Sequence, residues 1–176
     1  MNDYEYAESL KAIKVATQME IDGKAYYLRC SDKSTSKLGK KLFKSLAEEE
    51  DYHRKKFDEI YNKIRSKKAW PKSDFQPDGG RKLRTAFAEA LGKPDKSKPA
   101  TSEMDAVQMA IEMEATTLDF YRECLSTAKY DSEKEFYEAL TGQEREHQIV
   151  LVDYYEYLKD PASWYTHKEH HSMDGG

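Results

Sequence analysis

The sequence predicts an all-α protein, a four-helix bundle built from a duplicated helical hairpin, with a long crossover between the second and third helices. Three observations predict it. Glycine and proline are scarce, eight and five in 176 residues, and most of them fall in one stretch between 67 and 100. On either side of that stretch apolar residues recur every three or four positions, the period of a helix that buries one face. The two halves of the chain also match at a single ungapped offset of 94 residues, the mark of an internal repeat.

Residues 3 to 31 hold no breaker except Gly23, and Asn2 or Asp3 is placed to cap their start. Their inward stripe reads Ile13, Ala16, Glu20, Gly23, Tyr27, Cys30. A Ser/Thr/Asp cluster, Ser31 to Ser36, then punctuates the chain. A second helix is expected from about 36 to 66, burying Phe43, Leu46, Glu50, His53, Phe57, Ile60 and Ile64. Pro71, Pro77, Gly79, Gly80, Pro94 and Pro99 break the segment 67–100, in which Arg81 to Leu91 suits a short helix. Long helices of this size measure about 40 Å at 1.5 Å per residue. A connector of 34 residues spans that distance, so the second and third helices are expected to lie parallel. The third fits 102 to 129, opened by Ser102-x-x-Asp105, with the stripe Val107, Ala110, Glu114, Thr117, Tyr121, Cys124. The fourth fits 132 to 158, striped by Tyr137, Leu140, Glu144, His147, Leu151, Tyr154 and Leu158, and Pro161 ends it. Residues 1–160 thus read as one bundle domain and 161–176 as a C-terminal tail.

Composition narrows the function. No apolar run approaches the roughly 18 residues of a membrane span. The N-terminus, Met-Asn-Asp-Tyr-Glu, lacks the basic and apolar regions of a signal peptide. Neither a membrane protein nor a secreted one is expected. A net charge of -4 and an isoelectric point near 5.8 argue against a nucleic-acid partner. The two cysteines, Cys30 and Cys124, form no CxxC pair, which excludes a zinc ribbon, a rubredoxin-type iron site and a disulfide framework. They read as packing thiols, and a cytoplasmic location is expected.

The repeat points to the chemistry. The offset of 94 carries Glu20 to Glu114, Glu50 to Glu144 and His53 to His147, and likewise Tyr27 to Tyr121 and Cys30 to Cys124. Each of the four helices therefore turns one glutamate toward the core, and two of them add a histidine three residues later. Glu-x-x-His at i, i+3 lies on one helix face and can grip one ion. Singly, each of these glutamates would read as a rim residue, and Glu48, Glu49 and Glu50 as an acidic surface patch. The repeat selects Glu50, because Glu48 and Glu49 correspond to Gly142 and Gln143. Four buried carboxylates need compensation, since an unpaired buried charge costs several kcal/mol or takes up a proton. Two divalent cations supply the four positive charges required, and mixed carboxylate and imidazole ligation suits iron or manganese.

Glu20, Glu50-x-x-His53, Glu114 and Glu144-x-x-His147 resemble the di-iron signature of ferritin-like carboxylate proteins, in particular rubrerythrins and bacterioferritins. The resemblance spans residues 5 to 158. It implies two iron ions per chain, or manganese or a mixed Fe/Mn pair. Glu50 and Glu144 would bridge the ions, Glu20 and His53 would complete one, and Glu114 and His147 the other. Tyr27 and Tyr121 would hydrogen-bond the metal-holding carboxylates, although an ordinary aromatic core is the alternative reading of both. The implied activity is reduction of hydrogen peroxide or dioxygen by a non-haem di-iron oxidoreductase. Ferroxidase and iron handling form one alternative, a non-catalytic helical scaffold another.

Two departures qualify the likeness. Rubrerythrins often carry a further glutamate one turn after the third-helix ligand, where this chain has Thr117, its repeat partner being Gly23. They also commonly add a rubredoxin domain, for which this chain has neither length nor cysteines, so a separate rubredoxin-like electron-donor protein is implied. Both favour a symmetric, bacterioferritin-type ligand set. A homodimer is expected. In the tail, Trp164, His167, His170 and His171 suggest an exposed or docked segment rather than a metal site. The Lys/Arg clusters at 63–72 and 81–84 read as solvated.

Overall fold

Asn2 opens the first helix, α1 (Asp3–Lys33), with a capping box: its side chain accepts from the Glu5 amide at 2.9 Å, and Glu5 accepts from the Asn2 amide at 3.0 Å. The computed structural model describes residues 1–91 and 101–166. Ser36 caps α2 (Lys37–Lys67) by accepting from the Gly39 amide at 2.7 Å, and Lys68 closes it in the left-handed region at φ 49°. Gly79 and Gly80, both at positive φ, turn the chain into the short α3 (Arg81–Ala90). α4 (Thr101–Thr127) and α5 (Asp131–Lys159) form the second hairpin. Among the described residues there is no strand, and no helix is long and apolar enough to cross a membrane.

Side-chain pairs fix the helix directions. Tyr27 meets Glu114 and Tyr121 meets Glu20, so α1 and α4 run antiparallel. His53 faces Glu144 and His147 faces Glu50, so α2 and α5 also run antiparallel. With each hairpin antiparallel, α2 and α4 are parallel, and the crossover must traverse the bundle. This is the ferritin-like arrangement, and every residue of the predicted stripes on α1, α2 and α5 is buried.

Two apolar clusters fill the bundle. One gathers Leu42, Phe43, Leu46, Val107, Ala110, Leu151 and Tyr154. The other gathers Ile13, Ala16, Phe57, Ile60, Ile64, Phe136 and Leu140. Burying an aliphatic or aromatic side chain contributes about 1.5–3 kcal/mol, so these clusters provide the stability that a polar layer between them consumes. Along α2 that layer falls between Leu46 and Phe57, where Glu50 and His53 stand.

The structure departs from the sequence expectations in four places. α4 starts at Thr101, which puts Ser102 inside the helix rather than at its cap; the preceding residue lies outside the described ones. Thr117 and Cys124 are half-buried, and Leu118 takes the inward place after Glu114. A step of four follows Glu114 instead of three, because 3.6 residues per turn alternates the two. The crossover is not wholly solvated: Trp70 and Phe75 are buried in the second cluster, and Arg84 pairs with Glu146. Finally, residues 161–166 are helical, capped by Asp160, which accepts from the Ser163 amide at 3.0 Å. Trp164 and Tyr165 return to Tyr157, with ring centroids 5.7 and 6.1 Å away. His167, His170 and His171 lie outside the described residues.

Candidate metal centre

All six residues singled out by the repeat meet in the layer between the apolar clusters. Glu20, Glu50, Glu114 and Glu144 are at most 4% exposed, and His53 and His147 are fully buried. His53 Nδ1 lies 3.1 Å from Glu144, 3.3 Å from Glu20 and 4.0 Å from Glu50. His147 Nδ1 lies 3.3 Å from Glu144, 3.4 Å from Glu50 and 3.6 Å from Glu114. The six resolve into two groups able to hold an ion: Glu20, Glu50, His53 and Glu144, and Glu50, Glu114, Glu144 and His147. Glu50 and Glu144 belong to both. Within each group the ligand atoms lie within 4.8 Å of one another.

Two tyrosines hold the unshared carboxylates from the opposite hairpin. The Tyr27 hydroxyl donates to Glu114 Oε1 and the Tyr121 hydroxyl to Glu20 Oε1. Burial pushes both phenols well above their ordinary range, reinforced by the neighbouring glutamates, so each keeps its proton and remains a donor. Gly23, the repeat partner of Thr117, lies against Glu50: a Cβ there would stand 3.5 Å from its carboxyl carbon, an ordinary contact.

The electrostatics are those of four carboxyls and two imidazoles crowded into one buried layer. Burial pushes Glu20 up to about 8. Burial, then the neighbouring Glu20 and Glu144, push Glu50 well above the carboxylate range. Burial does the same to Glu114 against the pull of His147. Burial would raise Glu144 too, but the His147 and His53 imidazoles hold it far below. Burial would lower His147, yet Glu114 and Glu144 hold it well above its ordinary value.

The donor set fits a metal. Both ring nitrogens of His53 and His147, both oxygens of Glu144, and Oε2 of Glu20 are buried without a hydrogen-bond partner. Buried polar atoms rarely stay unpartnered, and here seven of them converge on one layer. Oxygen and imidazole ligands without thiolate suit iron or manganese. Cys30 and Cys124 enter neither group; burial pushes the Cys30 thiol up and the Cys124 thiol to about 11, as befits packing thiols.

Several residues around the cluster were not singled out from the sequence. The Phe75 ring, from the crossover, sits edge-on to His53 at 5.6 Å and shields it. Gln143 donates to Glu49 at 2.7 Å, joining two repeat partners, and a Glu49 oxygen lies within 4.8 Å of a ring nitrogen of each histidine. Glu103, also buried, accepts from Tyr154 at 2.7 Å, from Ser34 at 2.5 Å and from Ser36 at 3.3 Å, tying the ends of α1, α2, α4 and α5 together. An aromatic inside a Lys- and Pro-rich linker was the available signal for Phe75. Nothing local marked Glu103.

A family model described as Rubrerythrin matches residues 11–89, which hold most of α1, all of α2 and nearly all of α3. Over these residues the chain is similar to rubrerythrin. The matched span carries Glu20, Glu50 and His53, and the internal repeat supplies Glu114, Glu144 and His147 from the second hairpin. The rubrerythrin likeness implies iron binding and suggests an oxidoreductase. No curated protein and no solved structure matches the chain significantly.

Proposed function

We propose that the cluster holds two iron ions, bridged by Glu50 and Glu144, and that the protein reduces hydrogen peroxide to water with electrons from a separate donor protein. The observation that carries this reading is the sharing of those two glutamates by two otherwise separate ligand groups. Glu20 and His53 complete one group and Glu114 and His147 the other. When bound, the iron pair supplies the two electrons that cleavage of the O–O bond consumes.

The chain's own residues set the conditions. Tyr27 and Tyr121 orient Glu114 and Glu20 by donating to one oxygen each and leaving the other free. The apolar clusters on both sides keep bulk water from the layer, which strengthens every electrostatic contact within it. The i, i+3 spacing of Glu50 with His53 and of Glu144 with His147 holds each pair on one face of a rigid helix.

Diferrous protein mixed anaerobically with one equivalent of peroxide should oxidise rapidly, and the Glu114→Ala variant should do so far more slowly. Equal rates would remove the peroxidase reading. A second reading, ferroxidase activity, is favoured by Thr117 standing where a further glutamate would otherwise stand. Oxidation of many Fe(II) per chain would select it, and a stop at two would reject it.

A further inference from the structure

A cleft of about 300 Å³ opens beside the centre, between α2, α5 and the first part of the crossover, and His53 forms part of its wall. Three carboxylates line it, Glu48, Glu49 and Asp78, against one ammonium, Lys82. Gln143 lines it too, 1% exposed, with its Nε2 donating to Glu49 and its Oε1 left without a partner. The His53 imidazole is fully buried, and its Nε2 is likewise unpartnered. Glu49, His53 and His147 offer one ligand atom apiece within 4.8 Å, a third grouping that overlaps the centre only through its histidines.

We propose that this cleft is the port through which divalent cations reach the buried centre, with Glu49 as the residue that takes the ion from solvent and passes it to His53. The proposal rests on the metal-centre reading above. Glu49 is half-buried, between exposed Glu48 and buried Glu50, so three consecutive glutamates grade from the surface into the centre. A cleft with excess negative charge and low-dielectric walls concentrates cations and speeds their arrival. Gln143 holds Glu49 over the port while its free carbonyl oxygen offers the ion a neutral ligand. Glu49 and the histidines make a transit site rather than a resting one, because the same two imidazoles complete the two groups of the final ligand set.

The test is stopped-flow uptake of Co(II) by metal-free protein, followed by its visible absorption, together with the equilibrium stoichiometry. Glu49→Gln should slow uptake about tenfold and leave capacity and final affinity unchanged. Glu49→Asp, which keeps the charge, should retain most of the rate. Glu8→Gln, at a second acidic cleft at the α1 N-terminus, should match wild type. Wild-type rates in Glu49→Gln would overturn the port, as would equal slowing by Glu8→Gln. An unchanged on-rate with weaker final binding would overturn it in favour of a residue that only orients a histidine. Absence of any uptake by wild type would instead strike the metal-centre reading itself.

Discussion

His53 and His147 stack face to face in the middle of the bundle, ring centroids 5.5 Å apart and 14° from parallel. They are partners in the internal repeat, one from each hairpin. Two imidazolium rings would repel at that distance, whereas two neutral rings would not. Glutamates from all four long helices surround the stacked pair.

Because each histidine enters one ligand group and Glu50 and Glu144 enter both, substitutions should separate the two sites. His147→Ala should bind one ion per chain in place of two. Glu144→Ala should weaken both sites together. Isothermal titration of the metal-free variants with Co(II) distinguishes these patterns, and equal losses in the two variants would contradict the shared-bridge geometry.

Removing the hydroxyls that steady the carboxylates should be milder. Tyr27→Phe and Tyr121→Phe each leave the ring in place and delete one donor to Glu114 or Glu20. Partners of this kind typically influence metal affinity by about 10–100-fold. Competition with a chelator should show that loss for each variant, with the number of bound ions unchanged.

The metal-free protein should lose stability as pH rises, contrary to ordinary carboxylate behaviour. Glu20 titrates near 8 when folded, against an ordinary value of 4.5. Between these values the native state holds a proton that the unfolded chain has released, so raising the pH favours unfolding. Glu50, Glu114 and His147, all shifted upward, act in the same direction. Urea midpoints of metal-free protein should fall between pH 5 and 8. Binding of divalent metal should release protons and flatten the trend.

Gly39→Ala should destabilise the bundle without touching the centre. A Cβ at Gly39 would run into Glu103, Ser34 and Tyr154, the buried knot that ties four helix ends. Crowding of this kind costs about 1–3 kcal/mol, and each kcal/mol lowers Tm by roughly 2–4 °C at this chain length. Thermal unfolding should show the drop while metal capacity stays at the wild-type value.

The bundle and the six-residue cluster were legible because two periodicities coincide. The 3.6-residue stripe names the buried face, and the offset of 94 picks Glu50 from three adjacent glutamates. At the edge of a face the repeat misled: Gly23 and Cys30 are buried, whereas their partners Thr117 and Cys124 are half-buried, and Leu118 takes the inward place. Contacts made by irregular backbone carry no period, so Trp70 and Phe75 in the crossover escaped notice. Glu103 has no repeat partner in the pattern, and its burial depends on hydroxyls from three other helices.

The most direct measurement is an anaerobic equilibrium titration of metal-free protein with Fe(II). Saturation at two ions per chain, lost in part by His147→Ala and wholly weakened by Glu144→Ala, is the result the geometry predicts. Saturation at one ion, or no saturable uptake, would contradict a pair of ions bridged by Glu50 and Glu144.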